Sequence, residues 1–271
     1  MEVRKKVMST VGNTVLIQND EEEIAAYLKK RNLARVNTGA LPVKPRNTLY
    51  VKFFKRVFDL LIALPACLVT LPLNLIFGIC TYFDVGNPVF FKQTRIGKSE
   101  KPFTIVKFRN MNNNTDKDGK LLPASQRVTK FGFFMRSHSF DELLNFWSVL
   151  KGDMSIIGPR PLPAFFYERM SDRHKMRSAV RPGLECPRYI NVEGELYQKQ
   201  FENDIWYVEN VSFSTDIKLL FLLFKMTFAK KDRISAPGGS YFVGYDDDCR
   251  AIYKELAIEK YGKEMEAERN K

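Results

Sequence analysis

One uncharged hydrophobic run dominates the pattern along the chain. It covers residues 60–83 and reads LLIALPACLVTLPLNLIFGICTYF. A membrane helix needs about 20 consecutive apolar residues, so the run is long enough to form one. More than fifty residues precede it and no small-residue cleavage site is obvious, which argues against a secretory signal.

Two prolines, Pro65 and Pro72, interrupt this run. A proline inside a helix removes one hydrogen bond and clashes with the preceding turn, so it produces a kink. Cationic residues stand on both sides of the run, namely Lys52, Lys55, Arg56, Lys92, Arg95, Lys98, Lys101, Lys107 and Arg109. Positive charge favours the cytoplasmic side of a membrane, and here it flanks both ends. We therefore predict a re-entrant helix kinked at Pro72, with a straight spanning helix and a buried core helix as alternatives.

Weaker patterns precede this helix. Residues 14–18 predict a short strand, residues 21–33 predict an amphipathic helix, and Pro42 and Pro45 mark a linker. We interpret this region as a small appendage.

The pattern beyond the helix predicts strands at residues 89–92 and 103–108 and a polar loop at residues 111–121. A second apolar stretch, residues 217–228, is too short to span a membrane and carries two lysines. It fits an interfacial helix and a core helix equally well. Residues 250–271 have the composition of a charged helix.

The stretch at residues 136–153, RSHSFDELLNFWSVLKGD, carries the candidate chemistry. Ser139 and Glu142 have the spacing of a capping box, which predicts a helix that ends at Gly152. Its expected apolar face consists of Leu143, Leu144, Trp147 and Leu150. Asp141 and Glu142 would then lie in the first turn, where free N–H groups keep carboxylates ionised and also suit a phosphate.

Four cationic residues are candidates to accompany this acidic pair, namely Lys107, Arg109, Arg136 and Arg160. Arg160 lies between two prolines, which restrict its backbone. A carboxylate that attacks phosphorus needs the substrate charge neutralised, and Mg²⁺ and arginine normally do this. An acidic pair in a first turn is more often a simple cap, however, so the pair alone does not decide the chemistry.

Charge and composition narrow the classes of partner. The net charge of +12 favours acidic partners such as phosphorylated substrates, anionic lipid or nucleic acid. No nucleic-acid motif is recognisable, so we expect no nucleic-acid partner. The cysteines have no CxxC or zinc spacing and are interpreted as reduced packing residues; they are Cys67, Cys80, Cys186 and Cys249. With two histidines in the chain, a site with three histidine ligands is excluded.

The order of these features resembles the bacterial sugar transferase family, the monotopic phosphoglycosyl transferases. The segments that carry the resemblance are PVFFKQTRIG, FTIVKFRNM, RSHSFDELLNFWSVLKGDMSIIGPRP and VRPG. They follow the kinked hydrophobic helix, and the resemblance covers residues 52–226, about two-thirds of the chain.

This resemblance implies a mainly helical α/β fold. A re-entrant membrane helix would hold a small catalytic domain on the cytoplasmic face of the bacterial inner membrane. It implies that Asp141 attacks a nucleotide diphosphate sugar, forms a phospho-sugar ester and expels a nucleoside monophosphate. A polyprenol phosphate then attacks that ester. Glu142 would assist with proton transfer and with Mg²⁺, for which Asp141 and Glu142 are the expected ligands.

The resemblance also assigns supporting residues. Lys107, Arg136 and Arg160 match the family's phosphate-handling set, to which we add Arg109 for its place beside Lys107. Asp204 matches a supporting aspartate. The segment after residues 181–183 is expected to recognise the donor, and Arg181 and Arg188 are its candidates.

The chain departs from the family pattern in two places. Leu71 and Pro72 stand where the kink is usually Ser-Pro, so we expect Thr70 to bond a carbonyl that the proline frees. The usual T-G-x-A-Q and N-G-R segments are replaced by LECPRYINVE, with Glu193 in place of the arginine. This leaves the donor sugar open. His138, three residues before Asp141, is interpreted as structural, with tuning of a proton transfer as the alternative.

We therefore predict four regions: an appendage and linker (1–50), a re-entrant membrane helix (51–86), a catalytic domain (87–230) and a C-terminal tail (231–271). The predicted reaction transfers a sugar-1-phosphate from a nucleotide diphosphate sugar, with UDP-sugar favoured, to undecaprenyl phosphate as the first membrane step of glycan assembly. The alternative is a membrane-anchored, non-catalytic relative that binds polyprenol or nucleotide phosphates. The sequence is compatible with a homo-oligomer.

Overall fold

The computed structural model describes residues 8–11, 14–17, 20–117, 119, 121–122, 124–228 and 241–269. The helices are α1 (Asp20–Thr38), α2 (Lys55–Val85), α3 (Ala124–Arg127), α4 (Lys130–Ser137), α5 (Asn145–Lys151), α6 (Ala164–Tyr167), α7 (Asp172–Lys175), α8 (Leu196–Asn210), α9 (Phe213–Phe228) and α10 (Lys254–Arg269). The strands are β1 (Met8–Val11), β2 (Thr14–Ile17), β3 (Phe90–Ile96), β4 (Pro102–Phe108), β5 (Ser155–Ile157), β6 (Gly183–Glu185), β7 (Phe242–Tyr245) and β8 (Ala251–Tyr253). The predicted mainly helical α/β fold is confirmed.

The strands form separate two-stranded sheets. β3 and β4 pair antiparallel from Phe90 opposite Phe108 to Ile96 opposite Pro102, which confirms both predicted strands. β5 and β6 pair parallel, and there the backbones at Gly158 and Gly183 come very close. A Cβ atom built on Gly183 would lie 2.1 Å from the Gly158 nitrogen, so only glycine fits. This approach brings the segment after β5 against the start of β6.

The hydrophobic run forms α2, which follows a π-helical turn at Tyr50–Phe54. Among the described residues, Tyr50–Val85 is long and apolar enough, by length and composition, to cross a membrane. Only 11% of its most apolar 18-residue stretch is buried. This low burial does not fit the alternative of a buried core helix. Leu61, Leu68 and Phe83 are exposed by 70%, 66% and 80%, so the helix presents an apolar surface away from the rest of the fold.

Thr70 does not compensate for Pro72 as expected. Its hydroxyl donates to the carbonyl of Ala66 at 2.8 Å. The carbonyl that loses its helical donor to Pro72 is four residues earlier, on Leu68. The threonine thus bonds the carbonyl one turn behind itself, as threonines in helices commonly do.

The main hydrophobic core joins α2, β4, α5, α8 and α9 through Ala63, Ile105, Val149, Tyr207 and Leu219, among others. Leu219 is fully buried, whereas Phe221 and Phe224 on the same helix are exposed by 71% and 55%. One side of α9 therefore packs in the core, as the interpretation of residues 217–228 as a core helix predicted. Its other side is apolar and exposed, as an interfacial helix requires.

The two ends of the described chain pack against each other. A separate core of Ile24 and Leu28 from α1, Val243 and Ile252 from the β7–β8 hairpin and Ile258 from α10 joins them. The predicted helix at 21–33 is present as part of α1, and the predicted strand at 14–18 as β2. The charged C-terminal segment forms α10. Residues 229–240, which include the predicted start of the tail at 231, lie outside the described residues.

All four cysteines are unpaired, as predicted. Cys67 and Cys186 are buried, and Cys80 and Cys249 are half-buried.

Candidate active site

The acidic pair lies in a 3₁₀ turn, Phe140–Glu142, that precedes helix α5. The predicted capping box is wrong. Ser139 adopts a left-handed conformation with φ 56°, and its side chain makes no capping hydrogen bond to the turn. An N-cap residue normally has extended backbone, so the left-handed Ser139 turns the chain sharply and delays the α-helix to Asn145. The helix ends at Gly152 with φ 94°, as predicted.

The predicted apolar face of this helix is rotated. Val149 is fully buried and Leu150 packs against the core. Trp147, which was expected to be buried, is 46% exposed. Leu143 and Leu144 precede α5, and the buried residues of the helix are Asn145, Ser148 and Val149.

Asp141 is buried beside the apolar helix. The ring of Phe140 stacks on Phe77 of α2, and only 7% of Asp141 is exposed. Asn110, two residues after the end of β4, donates its side-chain amide to the Asp141 carboxylate at 3.1 Å. Asp141 is thus held between the surface of α2 and the end of the β3–β4 hairpin.

Glu142 binds two of the predicted cations. Lys107 on β4 donates to its Oε1 at 2.6 Å, and Arg160 donates to the same oxygen. Burial opposes ionisation of Glu142, but the charges of Arg160 and Lys107 outweigh it and lower the pKa of this carboxyl to about 2. Glu142 is therefore an anion throughout the physiological range.

The pKa of Asp141 moves the other way. Burial raises it, and so does the nearby charge of Glu142, while Lys107 and Arg136 oppose the shift. The expectation that a helix N-terminus favours ionisation at this position is not met, because burial and the neighbouring carboxylate outweigh the cations. The two carboxyl groups thus differ in basicity, which is typical of sites where they have different roles.

The backbone of Arg160 is held from two sides. Arg177 donates to the Arg160 carbonyl at 2.9 Å, and Arg95 donates to the next carbonyl, that of Pro161, at 3.1 Å. Arg177 is itself bonded to the buried Asp204 at 3.0 Å. Burial raises the pKa of Asp204 to about 6, against the opposing charge of Arg177. Asp204 thus reaches the site through Arg177.

The other predicted residues occupy different positions. Arg136 lies close enough to Asp141 for their charges to interact. Arg109 donates to the carbonyls of Gly86 and Asn87, just past the end of α2. Arg181 donates to the carbonyl of Gly152 at the end of α5. Arg188 is exposed.

His138 lies beside the turn. Its ring stacks on Phe140 with centroids 5.3 Å apart, and its Nδ1 lies 2.9 Å from the Phe134 carbonyl. These contacts are structural in kind.

Four residues of the site escaped the sequence reasoning: Asn110, Arg177, Arg95 and Glu185. Glu185 ends β6 and accepts from Arg160 at 3.3 Å. It lies in the segment that departs from the family pattern, and this departure was the one feature of the sequence that could have pointed to Glu185. Arg95 had been counted only as a charge flanking the membrane helix. It lines one cavity with Lys107, Glu142, Arg160 and Asn145.

Two adjacent carboxylates are a suitable donor set for magnesium. Mg²⁺ is usually held by one or two carboxylates together with substrate phosphates and water. Within the part of the chain that the structure describes, no group of three or more histidine, cysteine, aspartate or glutamate side chains could hold a metal by itself. Asp141 and Glu142 therefore fit an ion that the substrate's phosphates help to bind, and do not fit a closed protein cage.

The sequence of the whole central region decides the family. The model of the bacterial sugar transferase family matches residues 50–230. The chain belongs to the bacterial sugar transferase family. The matched residues of this transferase include α2, the acidic pair, Lys107, Arg160 and Asp204.

Similar proteins agree with this assignment. The transferase is 41% identical to the uncharacterized sugar transferase EpsL of Bacillus subtilis over 169 residues, which are 62% of this chain and 84% of that protein. It is 32% identical over 214 residues to the UDP-N-acetylgalactosamine-undecaprenyl-phosphate N-acetylgalactosaminephosphotransferase of Aeromonas hydrophila, with 76% and 50% of the two chains covered. It is 33% identical over 190 residues to a UDP-glucose:undecaprenyl-phosphate glucose-1-phosphate transferase of Klebsiella pneumoniae, which are 66% of this chain and 41% of that protein. The chain thus spans half or less of the length of the Aeromonas and Klebsiella proteins.

Proposed function

We propose that this protein transfers a sugar-1-phosphate from a UDP-sugar to undecaprenyl phosphate through a covalent intermediate on Asp141. The observation that carries the proposal is the pairing of a buried Asp141 with a Glu142 that is bound by Lys107 and Arg160. The names of the Aeromonas and Klebsiella relatives support the substrates. The reaction would be the first membrane step of glycan assembly.

The proposed reaction has two displacements at phosphorus. A carboxylate oxygen of Asp141 attacks the sugar-bearing phosphorus, the bond to the other phosphate breaks, and uridine monophosphate leaves. An oxygen of undecaprenyl phosphate then attacks the same phosphorus, and the bond to Asp141 breaks. The raised pKa of Asp141 reflects a basic, poorly solvated carboxylate, which is a better nucleophile than an exposed one.

Lys107 and Arg160 supply fixed positive charge where negative charge develops on the phosphoryl oxygens. Glu142 holds both cations in place, and its low pKa keeps it ionised while it does so. Mg²⁺, bound with the donor at Asp141 and Glu142, would neutralise the diphosphate further.

We also propose that α2 enters the membrane and leaves it on the same, cytoplasmic face. Near its first residues, Lys55 forms a buried ion pair with Asp216 of α9 at 2.7 Å. Near its last residues, Asp84 accepts from Thr129 at 2.5 Å, and Arg109 bonds the following carbonyls. Both ends are thus held by one catalytic domain.

A straight helix of this length would separate those anchors. At 1.5 Å per residue, 31 residues span about 46 Å, more than the roughly 30 Å hydrocarbon core. A crossing helix would carry its second end, with Asp84, to the opposite side of the membrane from Asp216. The contacts at both ends therefore support the re-entrant helix. They also explain part of the flanking charge, because Lys55 and Arg109 bind protein groups.

Mass spectrometry of the intact protein tests the covalent step. With a UDP-sugar and Mg²⁺ but no undecaprenyl phosphate, we expect the mass of a phospho-sugar on Asp141 and release of uridine monophosphate. Asp141→Asn keeps the size of the side chain and should fold without forming the adduct. Full turnover by Asp141→Asn would disprove the nucleophile. A protein that binds nucleotide sugars but releases no nucleoside monophosphate from any of them would instead be the non-catalytic relative.

A further inference from the structure

Arg95 is a partly buried cation whose own partners are neutral. Its terminal nitrogens donate to the Pro161 carbonyl at 3.1 Å and to the Gln93 side-chain oxygen at 2.6 Å. Its Nε is buried and has no hydrogen-bond partner among the described residues. Arginine is rarely buried without an anion, so this arrangement requires an explanation.

The surroundings of Arg95 do not supply the missing charge. Burial and the like charge of Arg160 lower the pKa of Arg95 to about 10, and Glu142 only partly opposes this. Glu142 already binds Lys107 and Arg160 through the same oxygen. The guanidinium of Arg95 is therefore held at a cost that Glu142 offsets only in part.

An anion bound in the cavity beside Arg95 would neutralise its only partly compensated positive charge. Its ionic lining consists of Arg95, Lys107, Arg160 and Glu142, so the cations exceed the anions. A diphosphate linking a nucleoside to a sugar carries a negative charge on each phosphate. Arginine is well suited to it, because its planar fork donates two parallel hydrogen bonds to a phosphate.

We propose that Arg95 is a donor-binding residue that contacts the diphosphate of the nucleotide sugar in this cavity. The inference rests on the proposed function for the identity of the donor. It adds a third cation from β3 to Lys107 and Arg160, which come from β4 and from the segment after β5. The bond to Pro161 keeps Arg95 next to Arg160, so the two guanidinium groups are available to one ligand.

Binding of inorganic pyrophosphate to the full chain in lipid nanodiscs tests this role without turnover. Isothermal titration calorimetry would compare the wild type with Arg95→Gln and Arg95→Lys. A hydrogen bond to a charged group contributes about 1.5–3 kcal/mol, so Arg95→Gln should weaken binding by roughly ten- to a hundredfold. Arg95→Lys keeps the charge and should lose clearly less. Lys92→Gln removes an exposed charge from the same strand and should bind like the wild type.

Arg95→Gln and Arg95→Lys together distinguish a role of the Arg95 charge from a role of its hydrogen bond to the Pro161 carbonyl. Glutamine can still donate to the Pro161 carbonyl but carries no charge. If Arg95 served only to hold that carbonyl, Arg95→Gln would bind pyrophosphate as the wild type does, and the inference would be wrong. Equal loss in Lys92→Gln would also overturn it, because the effect would then belong to the general field of the protein.

A measurement on the wild type does not depend on the folding of a neutral variant. The Nε–H resonance of Arg95, assigned by its loss in Arg95→Lys, should shift when pyrophosphate is added. An unchanged resonance at saturating pyrophosphate, or no binding by the wild type, would overturn the inference. Neither result bears on the Asp141 adduct, so this inference and the proposed reaction can fail separately.

Discussion

The ring of Phe140 stacks on the ring of Phe77, with the centroids 5.0 Å apart and the planes inclined by 23°. The residue immediately before Asp141 thus rests on the apolar helix α2. We expect the burial of Asp141 and its position relative to Lys107 to depend on this contact, because Phe140 begins the turn that carries the acidic pair.

Phe77→Ala should therefore slow adduct formation. An aromatic pair contributes about 0.5–1.5 kcal/mol beyond its buried area, and about 1.4 kcal/mol corresponds to tenfold in rate. We expect a decrease of up to roughly tenfold in single-turnover experiments. Phe83→Ala is the matched control, since Phe83 lies on the same helix and is 80% exposed. Equal rates for both variants would show that the stacking does not position Asp141.

The pH dependence of adduct formation should report Asp141. Glu142 remains charged down to a pH of about 2, so the rate should fall on acidification as Asp141 becomes protonated. The charge of Glu142 raises the pKa of Asp141, and that of Lys107 lowers it. Glu142→Gln should shift the acidic limb to lower pH, and Lys107→Gln should shift it to higher pH. Shifts in the same direction would assign the limb to another group.

Removing the charge of Glu185 should strengthen donor binding modestly. Glu185 and Arg160 form an ion pair at 3.3 Å, and both side chains are 38% exposed. Exposed pairs contribute about 0.2–1 kcal/mol, so releasing Arg160 in Glu185→Gln should lower the donor KM by at most roughly fivefold. A higher KM would instead mean that Glu185 contacts the donor itself.

Asp204→Asn should destabilise the protein strongly. The change leaves Arg177 buried without its anion, and breaking a buried pair costs about 3–5 kcal/mol. Thermal unfolding of the detergent-solubilised protein measures this, with Asp153→Asn as a control. Asp153 pairs with an exposed Lys151, where the effect should be small. A minor loss in Asp204→Asn would show that Arg177 finds another partner.

Pro72→Ala tests the topology of α2. Proline in a helix interior is about 3 kcal/mol less favourable than alanine, so its replacement should favour a straight helix able to cross the membrane. Activity should fall, and a cysteine placed near one end of α2 in a cysteine-free background should become accessible from outside the cell. Unchanged labelling would assign the bend to Pro65 or to the anchors at Lys55 and Asp84.

The sequence predicted those features that depend on local pattern. The strands β3 and β4, the apolar run of α2 and the glycine that ends α5 each follow from residues close together in the chain. The capping box failed because a left-handed Ser139 is compatible with the same letters. Nothing in the local sequence predicts the left-handed backbone of Ser139.

Long-range partners were beyond local reasoning. Arg109 was assigned to phosphate for its place beside Lys107, and Arg181 was assigned to the donor because the resemblance places donor recognition near it. In the structure, each donates to main-chain carbonyls at or just past a helix end, and local spacing does not predict these partners. Glu185 joins Arg160 only because β5 and β6 pair in parallel, and such a pairing leaves no trace in the spacing of either segment.

The packing of α1 against β7 and α10 has a consequence for biosynthesis. Ile24 and Leu28 find their partners only when Val243 and Ile252 have been made, roughly 10–40 s later at about 5–20 residues per second. During that interval α2 is already available to the lipid bilayer, while the apolar side of α1 is still uncovered. If α2 inserts as proposed, the nascent chain reaches the membrane before α1 can pack against β7 and α10. A ribosome that stalls before β7 would then leave a membrane-bound chain with the apolar side of α1 accessible to proteases and chaperones.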